Sequence, residues 1–264
     1  MRFSLYFLAC LLLFLAGCGG SGGDSTPVTQ QPVTRKLNDT GIVLFADSTS
    51  NSLTSEPAGF EGQDASYGRD AQAAAGTLTK IGGGRAGFDF TKLGSDGAPL
   101  ADQSADYATS PWDCVRDNVT GLTWEVKAND GGLRDLYNLY TWYNTDPATN
   151  GGSAGDQNGG RCNGGIDCDT RAFVTAVNAV GLCGYNDWRL PQMEELRSVV
   201  DYSVAGSLII DTAYFPNATQ NLFWSASPVA GVTDNAWGVN FYYGYGVIDY
   251  KSGYGGVRLV RGGQ

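Results

Sequence analysis

Histidine is absent from all 264 residues. That absence excludes Ser-His-Asp and Cys-His catalysis, His-ligated zinc or iron, and an imidazole pH switch. Charged residues are also scarce, at 17% of the chain, below the usual quarter. Cations are the scarcer sign, 17 against 27 acids, giving a net charge of −10 and a sequence pI near 4.4. This balance argues against nucleic acid and against polyanionic glycans as partners. No Cys-x-x-Cys pair occurs, which argues against a four-thiolate zinc site. What the chain has in excess is glycine, 38 residues, about twice the usual share. Such a composition suits a loop-rich exported domain.

Met1-Arg2-Phe3-Ser4 is a short basic start, and the apolar run Leu5 to Leu15 follows it. The run is too short to span a bilayer but fits the apolar region of a signal peptide. It ends in Leu15-Ala16-Gly17-Cys18, which resembles a bacterial lipobox. Residues 1–17 then form the leader, and the Cys18 thiol carries a diacylglycerol. Residues 18–36 form a tether opened by Gly19-Gly20-Ser21-Gly22-Gly23-Asp24-Ser25-Thr26-Pro27, which lets a folded domain stand off the membrane. Gly19, in place of Asp, after the acylated cysteine favours the outer membrane. Losing Arg2 with the leader moves the formal charge from −10 to −11.

Cys10 leaves with the leader and Cys18 takes the lipid, so Cys114, Cys162, Cys168 and Cys183 remain. An even count in an exported chain reads as two disulfides, for which three pairings exist. Cys162 and Cys168 enclose only five residues of a Gly-rich loop. A local staple there leaves Cys114 with Cys183 as a long-range clasp.

From residue 37 to about 111 the chain is rich in Gly, Ala, Asp and Ser. Gly41 to Ala46 and Ala86 to Phe90 read as short strands, and Gly82-Gly83-Gly84 as a turn. Gly121 to Val126 alternates as a strand after the turn-like Asp117-Asn118-Val119-Thr120. Residues 145–168 form a long polar loop. Asp169 is placed to cap a helix with Phe173, Val174, Val177 and Val180 on its inner stripe, ending near Gly181. A second helix is expected from Pro191, with Met193, Leu196, Val199 and Val200 inward and Glu194 and Glu195 complementing its dipole. Phe223 to Gln264 concentrates nine aromatic residues in 42. Trp237, Val239 and Phe241 alternate as a core-facing set with Asn240 and Tyr242 opposite, Gly244 to Gly246 reverse the chain, and Val247–Lys251 and Val257–Val260 return as strands. Short strands packed on two helices give an α+β layout with antiparallel sheets.

Several segments resemble the Lcl C-terminal domain family. These are Cys114-Val115-Arg116-Asp117, Thr120-Gly121-Leu122-Thr123-Trp124-Glu125, Tyr140-Thr141-Trp142-Tyr143-Asn144 and Cys183-Gly184-Tyr185-Asn186-Asp187-Trp188-Arg189-Leu190-Pro191. Glu195-Leu196, Phe223-Trp224-Ser225-Ala226-Ser227, Ala236-Trp237 and Val257-Arg258-Leu259-Val260-Arg261 continue the likeness in order. Leu37 to Gly41 and Gly62 to Asp70 resemble the N-terminal extension that many members carry, which divides the chain into an extension, 37–111, and a family domain, 112–264. The resemblance implies a C-type-lectin-like fold, shared with formylglycine-generating enzymes and retroelement-diversified receptors, and a surface-attached binding or adhesion role.

The binding reading places an unidentified surface glycan or protein on Tyr242, Tyr243, Tyr245, Asp249, Tyr250 and Tyr254. Tyrosine offers a large rigid contact with a hydrogen-bonding tip. The acidic charge disfavours sulfated polyanions. No catalytic residue is singled out: the copper-binding cysteine pair of the formylglycine-generating enzymes has no counterpart near the C-terminus, and no carboxylate pair stands out for a glycosidase. A retroelement-diversified receptor remains an alternative, because the C-terminal Tyr, Asn, Asp, Ser and Gly content suits a variable surface. No cofactor is expected. The loop acids Asp146, Asp156, Asp167 and Asp169, with Asn150 and Asn158, are weak calcium candidates, since EF-hand spacing is absent. Replacing Cys18 with Ser is expected to abolish acyl labelling and release the protein from membranes, as read by metabolic labelling and fractionation.

Overall fold

The computed structural model describes residues 36–262, apart from Gly164, Ile166, Ala205 and Ser207. The expected leader, Cys18 and all of the tether but Lys36 lie outside the described residues. No helix among the described residues is long and apolar enough to cross a membrane. The architecture is α+β. One antiparallel sheet has the order β1 (Phe90–Leu93), β2 (Cys114–Asp117), β3 (Thr123–Glu125) and β7 (Val260–Arg261). The second contains β4 (Leu222–Pro228), β5 (Asn235–Asn240) and β6 (Tyr245–Tyr250), in that order. Among the described residues the α-helices are α1 (Gly68–Ala74), α2 (Thr170–Val180) and α3 (Met193–Arg197).

Each element follows from local chemistry. The β2–β3 turn closes because Asp117 Oδ1 accepts from the amides of Val119 at 2.9 Å and Thr120 at 3.2 Å. Asp169 caps α2 by accepting from Ala172 N at 2.8 Å, and Gly181 ends it at φ +65°, a conformation that glycine adopts freely. The inner stripe of α2 is narrower than expected. Phe173 and Val177 are buried, Val174 is half-buried and Val180 faces solvent. Pro191 precedes α3, whose cap is Gln192 in a reciprocal pair with Glu195. Glu195 is buried and takes both Arg189 guanidinium nitrogens, at 2.7 and 2.8 Å. Its carboxylate therefore orders the Trp188-Arg189-Leu190 segment, a larger role than complementing a dipole.

Strand alternation sends neighbouring residues into two cores. Val115 and Trp124 pair across β2 and β3 and enter the first core with Phe90 and Val260. Cys114 and Leu93 enter the second. In β4, Phe223 belongs to the first core and Trp224 to the second. Trp224 donates to Tyr140 O at 2.8 Å, so its ring is both buried and satisfied. A Cβ on Gly255 would stand 2.6 Å from that indole, which leaves only glycine at this crossing.

Four strand expectations need correction. Gly41 to Ala46 makes a single bridge, Phe45 to Leu53, and is held instead by side chains, Gly41 N on Asp70 and Ala46 N on Gln63. Ala86 has a positive φ of 43°, so Ala86 and Gly87 turn and the strand begins only at Phe90. Within Val257–Val260 only Val260 pairs as a strand, because Leu259 instead exchanges bonds with Glu125. Trp237 is half-buried and outside both cores; Val239 and Phe241 carry the apolar inward role.

Cys114 is bonded to Cys183 across 69 positions and Cys162 to Cys168 across six. The long bridge ties β2 to the turn after α2. Replacing both Cys114 and Cys183 with Ser is expected to lower the unfolding free energy by about 4 kcal/mol, against about 2 kcal/mol for the Cys162 and Cys168 pair, as loop-closure entropy requires. Urea titration of the two double variants measures the difference.

Candidate functional site

The Tyr-rich hairpin is built from β5, β6 and the turn between them. Register pairs Asn240 with Tyr245, so the reversal spans Phe241 to Gly244, and Tyr245 and Gly246 already lie in the strand. Phe241 is buried and meets Phe223 edge-on at 5.3 Å. Asn240 Oδ1 accepts from the amides of Tyr242 and Tyr243, which fixes the turn. Three exposed rings follow: Tyr242 lies edge-on to Tyr243 at 4.5 Å, and Tyr243 stacks on Tyr245 at 5.3 Å. Tyr202, which the sequence did not single out, donates to Gly244 O at 2.6 Å and stands beside the turn. An isolated Tyr in a loop gives no signal of its own until the fold places it there.

The six sequence candidates do not form one face. Tyr245 and Tyr250 are five positions apart on one strand, so their side chains point to opposite sides of the sheet. Tyr250 shares its side with exposed Ile248 and, across the register, with Trp237. Asp249 lies on the Tyr245 side, half-buried, and accepts from the Tyr250 amide. Tyr254 is elsewhere, with the Arg161 guanidinium 4.9 Å from its ring centre. Tyr242, Tyr243 and Tyr245 are therefore the members brought together.

Beside Tyr202 opens a cavity of about 1120 Å³, walled by Ile42, Leu44, Ala73 and Val204, with Lys80 and Arg85 among its lining residues. Residues of the 37–111 stretch and of the later domain share this wall.

The loop acids are spread along the loop and accept from nearby donors. Among the described residues, none of Asp146, Asp156, Asp167 and Asp169 joins a group of three acids close enough to hold one ion. Asp146 accepts from Ala148 N and Thr149 Oγ1, and Asp169 from Ala172 N and Asn158 N. An internal cation also organises the loop. Lys251 is buried, and its Nζ donates to the carbonyls of Asn150 at 2.8 Å, Ser153 at 2.7 Å and Thr233 at 2.5 Å. The ammonium also lies 4.4 Å from the centre of the Trp142 ring. Burial pushes its pKa down, against the opposing pull of Asp234. The acids that do converge are Asp39, Asp64 and Asp70, in the 37–111 stretch. Asp70 accepts from the amides of Gly41 at 2.7 Å and Gly87 at 2.6 Å, and burial raises its pKa.

By its fold, this is a disulfide-stapled α+β domain that presents an aromatic turn on a buried frame. It belongs to the Lcl C-terminal domain family, whose model matches residues 113–261. No curated protein and no solved structure matches the chain.

Lys251→Met keeps the apolar stem and leaves three carbonyls without their donor. It is expected to destabilise the fold by about 3 kcal/mol, within the range for breaking a buried charged contact. It should also make residues 145–160 the first site cut in limited proteolysis.

Proposed function

We propose that this chain is a lipid-anchored ligand-binding module of the bacterial cell envelope, held at the outer membrane by an acylated Cys18 and a short tether. It captures a surface glycan or protein and performs no catalysis of its own. The layout is read as C-type-lectin-like, with the β5–β6 turn as the contact surface.

The observation that carries this reading is the exposed cluster of Tyr242, Tyr243 and Tyr245 beside the buried Phe241. Hydrophobic surface left in water on a rigid turn favours association, and phenol hydroxyls add directional contacts without the entropy loss of flexible side chains. Family membership and the two disulfides fit an exported domain. The absence of histidine is consistent with binding, since it removes the commonest general base.

Screening the protein on glycan and protein arrays tests the reading directly. Against a ligand found there, Tyr243→Ala and Tyr245→Ala are each expected to weaken binding by about 1–2 kcal/mol with melting nearly unchanged. Phe241→Ala is expected instead to lose about 3–5 kcal/mol of stability, as large buried aromatics do. Tyrosine variants that bind the ligand as the parent does would overturn the assignment.

A further inference from the structure

Sheet edges carry unpaired backbone groups, and among the described residues three of the four edges are covered. The outer side of β1 is bridged at Gly83–Phe90 and Leu93–Pro99. That of β7 is closed by Arg189 pairing with Val260, and that of β4 by Gly256 pairing with Phe223. Nothing among the described residues pairs with the outer side of β6.

The hydrogen-bond phase of β6 shows which groups that leaves free. Lys251 N donates to Asp234 O, and the register runs Asn235–Tyr250 through Asn240–Tyr245. Tyr245, Val247 and Asp249 therefore turn their amides and carbonyls toward β5, and Gly246, Ile248 and Tyr250 turn theirs outward. At Tyr250 both groups are taken: its amide donates to Asp249 Oδ1 and its carbonyl accepts from Gly253 N. Gly246 and Ile248 keep two donors and two acceptors facing out. The strand has no Lys, Pro or bulge to discourage pairing, and Ile248 is 45% exposed.

We propose that β6 pairs with β6 of a second copy of this chain, antiparallel and centred on Val247. That register sets Gly246 opposite the partner copy's Ile248 and the reverse, so the four free groups of each chain make four hydrogen bonds across the two-fold axis. It is self-complementary in side chains too. Gly246 lies beneath Met193 and beside Trp237, and the incoming isoleucine covers that apolar patch. Tyr245 stands opposite Asp249, so the acid meets a phenol and no like charges oppose. A six-residue edge buries less than a standard interface. The dimer is accordingly expected to be weak and to appear at tens to hundreds of micromolar protein, with each end of β6 adding an exposed tyrosine.

Cross-linking tests the register in the full chain, on the cells that make it. A residue on the axis faces itself, with Cα atoms about 4.5 Å apart in a pair without mutual hydrogen bonds, within disulfide range. Val247→Cys should give a disulfide-linked dimer under mild oxidation, whereas Ile248→Cys, which faces Gly246, should give at least tenfold less. Sedimentation of the purified chain should show a concentration-dependent dimer that Ile248→Lys abolishes with melting temperature unchanged. Equal cross-linking at both positions, or more at Ile248→Cys, overturns the register. A parent chain monomeric at every concentration, or a dimer indifferent to Ile248→Lys, overturns the pairing.

Discussion

The buried carboxylate of Glu125 is the contact that joins β3 to the segment leading into β7, on which much of the remaining structure depends. It is fully buried, and an isolated ion there would be intolerable. Oε1 pairs with Lys127 Nζ at 3.0 Å, and Oε2 accepts from Leu259 N at 3.0 Å. Its own carbonyl takes Arg258 Nη1 at 2.7 Å. Both cations are buried as well, over Phe173 for Lys127 and over Phe215 and Phe223 for Arg258. Burial depresses both, Arg258 to about 10. Two sequence segments far apart, Thr120 to Glu125 and Val257 to Arg261, are thus halves of one buried interaction. Removing the Glu125 carboxylate would leave Lys127 a buried cation without its ion-pair partner.

That clamp fixes where β7 and the preceding segment run, and the remaining architecture follows from them. Gly255 and Gly256 cross against Trp224 and Phe223, which seats β4 between the two cores. β5 and β6 then extend from β4, and Lys251 at the end of β6 gathers three loop carbonyls. The turn that carries Tyr242 to Tyr245 is far along this chain of support, packed below through Phe241 and Gly244 and open to water above.

What the sequence made legible is what short-range chemistry decides. Asp169 before an apolar stripe and Gly181 after it mark α2 at both ends, and a five-residue gap between cysteines marks a staple. The alternation from Leu122 to Val126 marks β3. What depends on distant neighbours is not legible in the same way. Gly41 to Ala46 has the composition of a strand but, among the described residues, only the Phe45–Leu53 bridge to pair with, and the sequence says nothing of pairing partners. Trp237 has the right parity for the core, yet its position beside the edge strand β6 leaves it half-covered. The tyrosines cluster in sequence, yet Tyr245 and Tyr250 stand at opposite parity on β6 and so on opposite sides of the sheet. Lys251 was invisible as a structural cation because three of its partners are backbone carbonyls, which carry no sequence identity.

The acidity of the chain also takes on a different meaning. Among the described residues nine acids and four cations are buried, so about half of the net −10 lies inside. These acids accept from loop amides: Asp89 from Ile81 and Gly82, Asp135 from Asp130, Gly131 and Tyr137, and Asp211 from Arg85 and Ala213. A fold with few strands and short helices leaves many amides without a ladder, and each buried one needs an acceptor. Aspartate supplies two acceptor atoms on a short stem and suits such turns. The low pI is therefore in large part the signature of a loop-rich architecture. The exposed surface is accordingly less acidic than composition suggests.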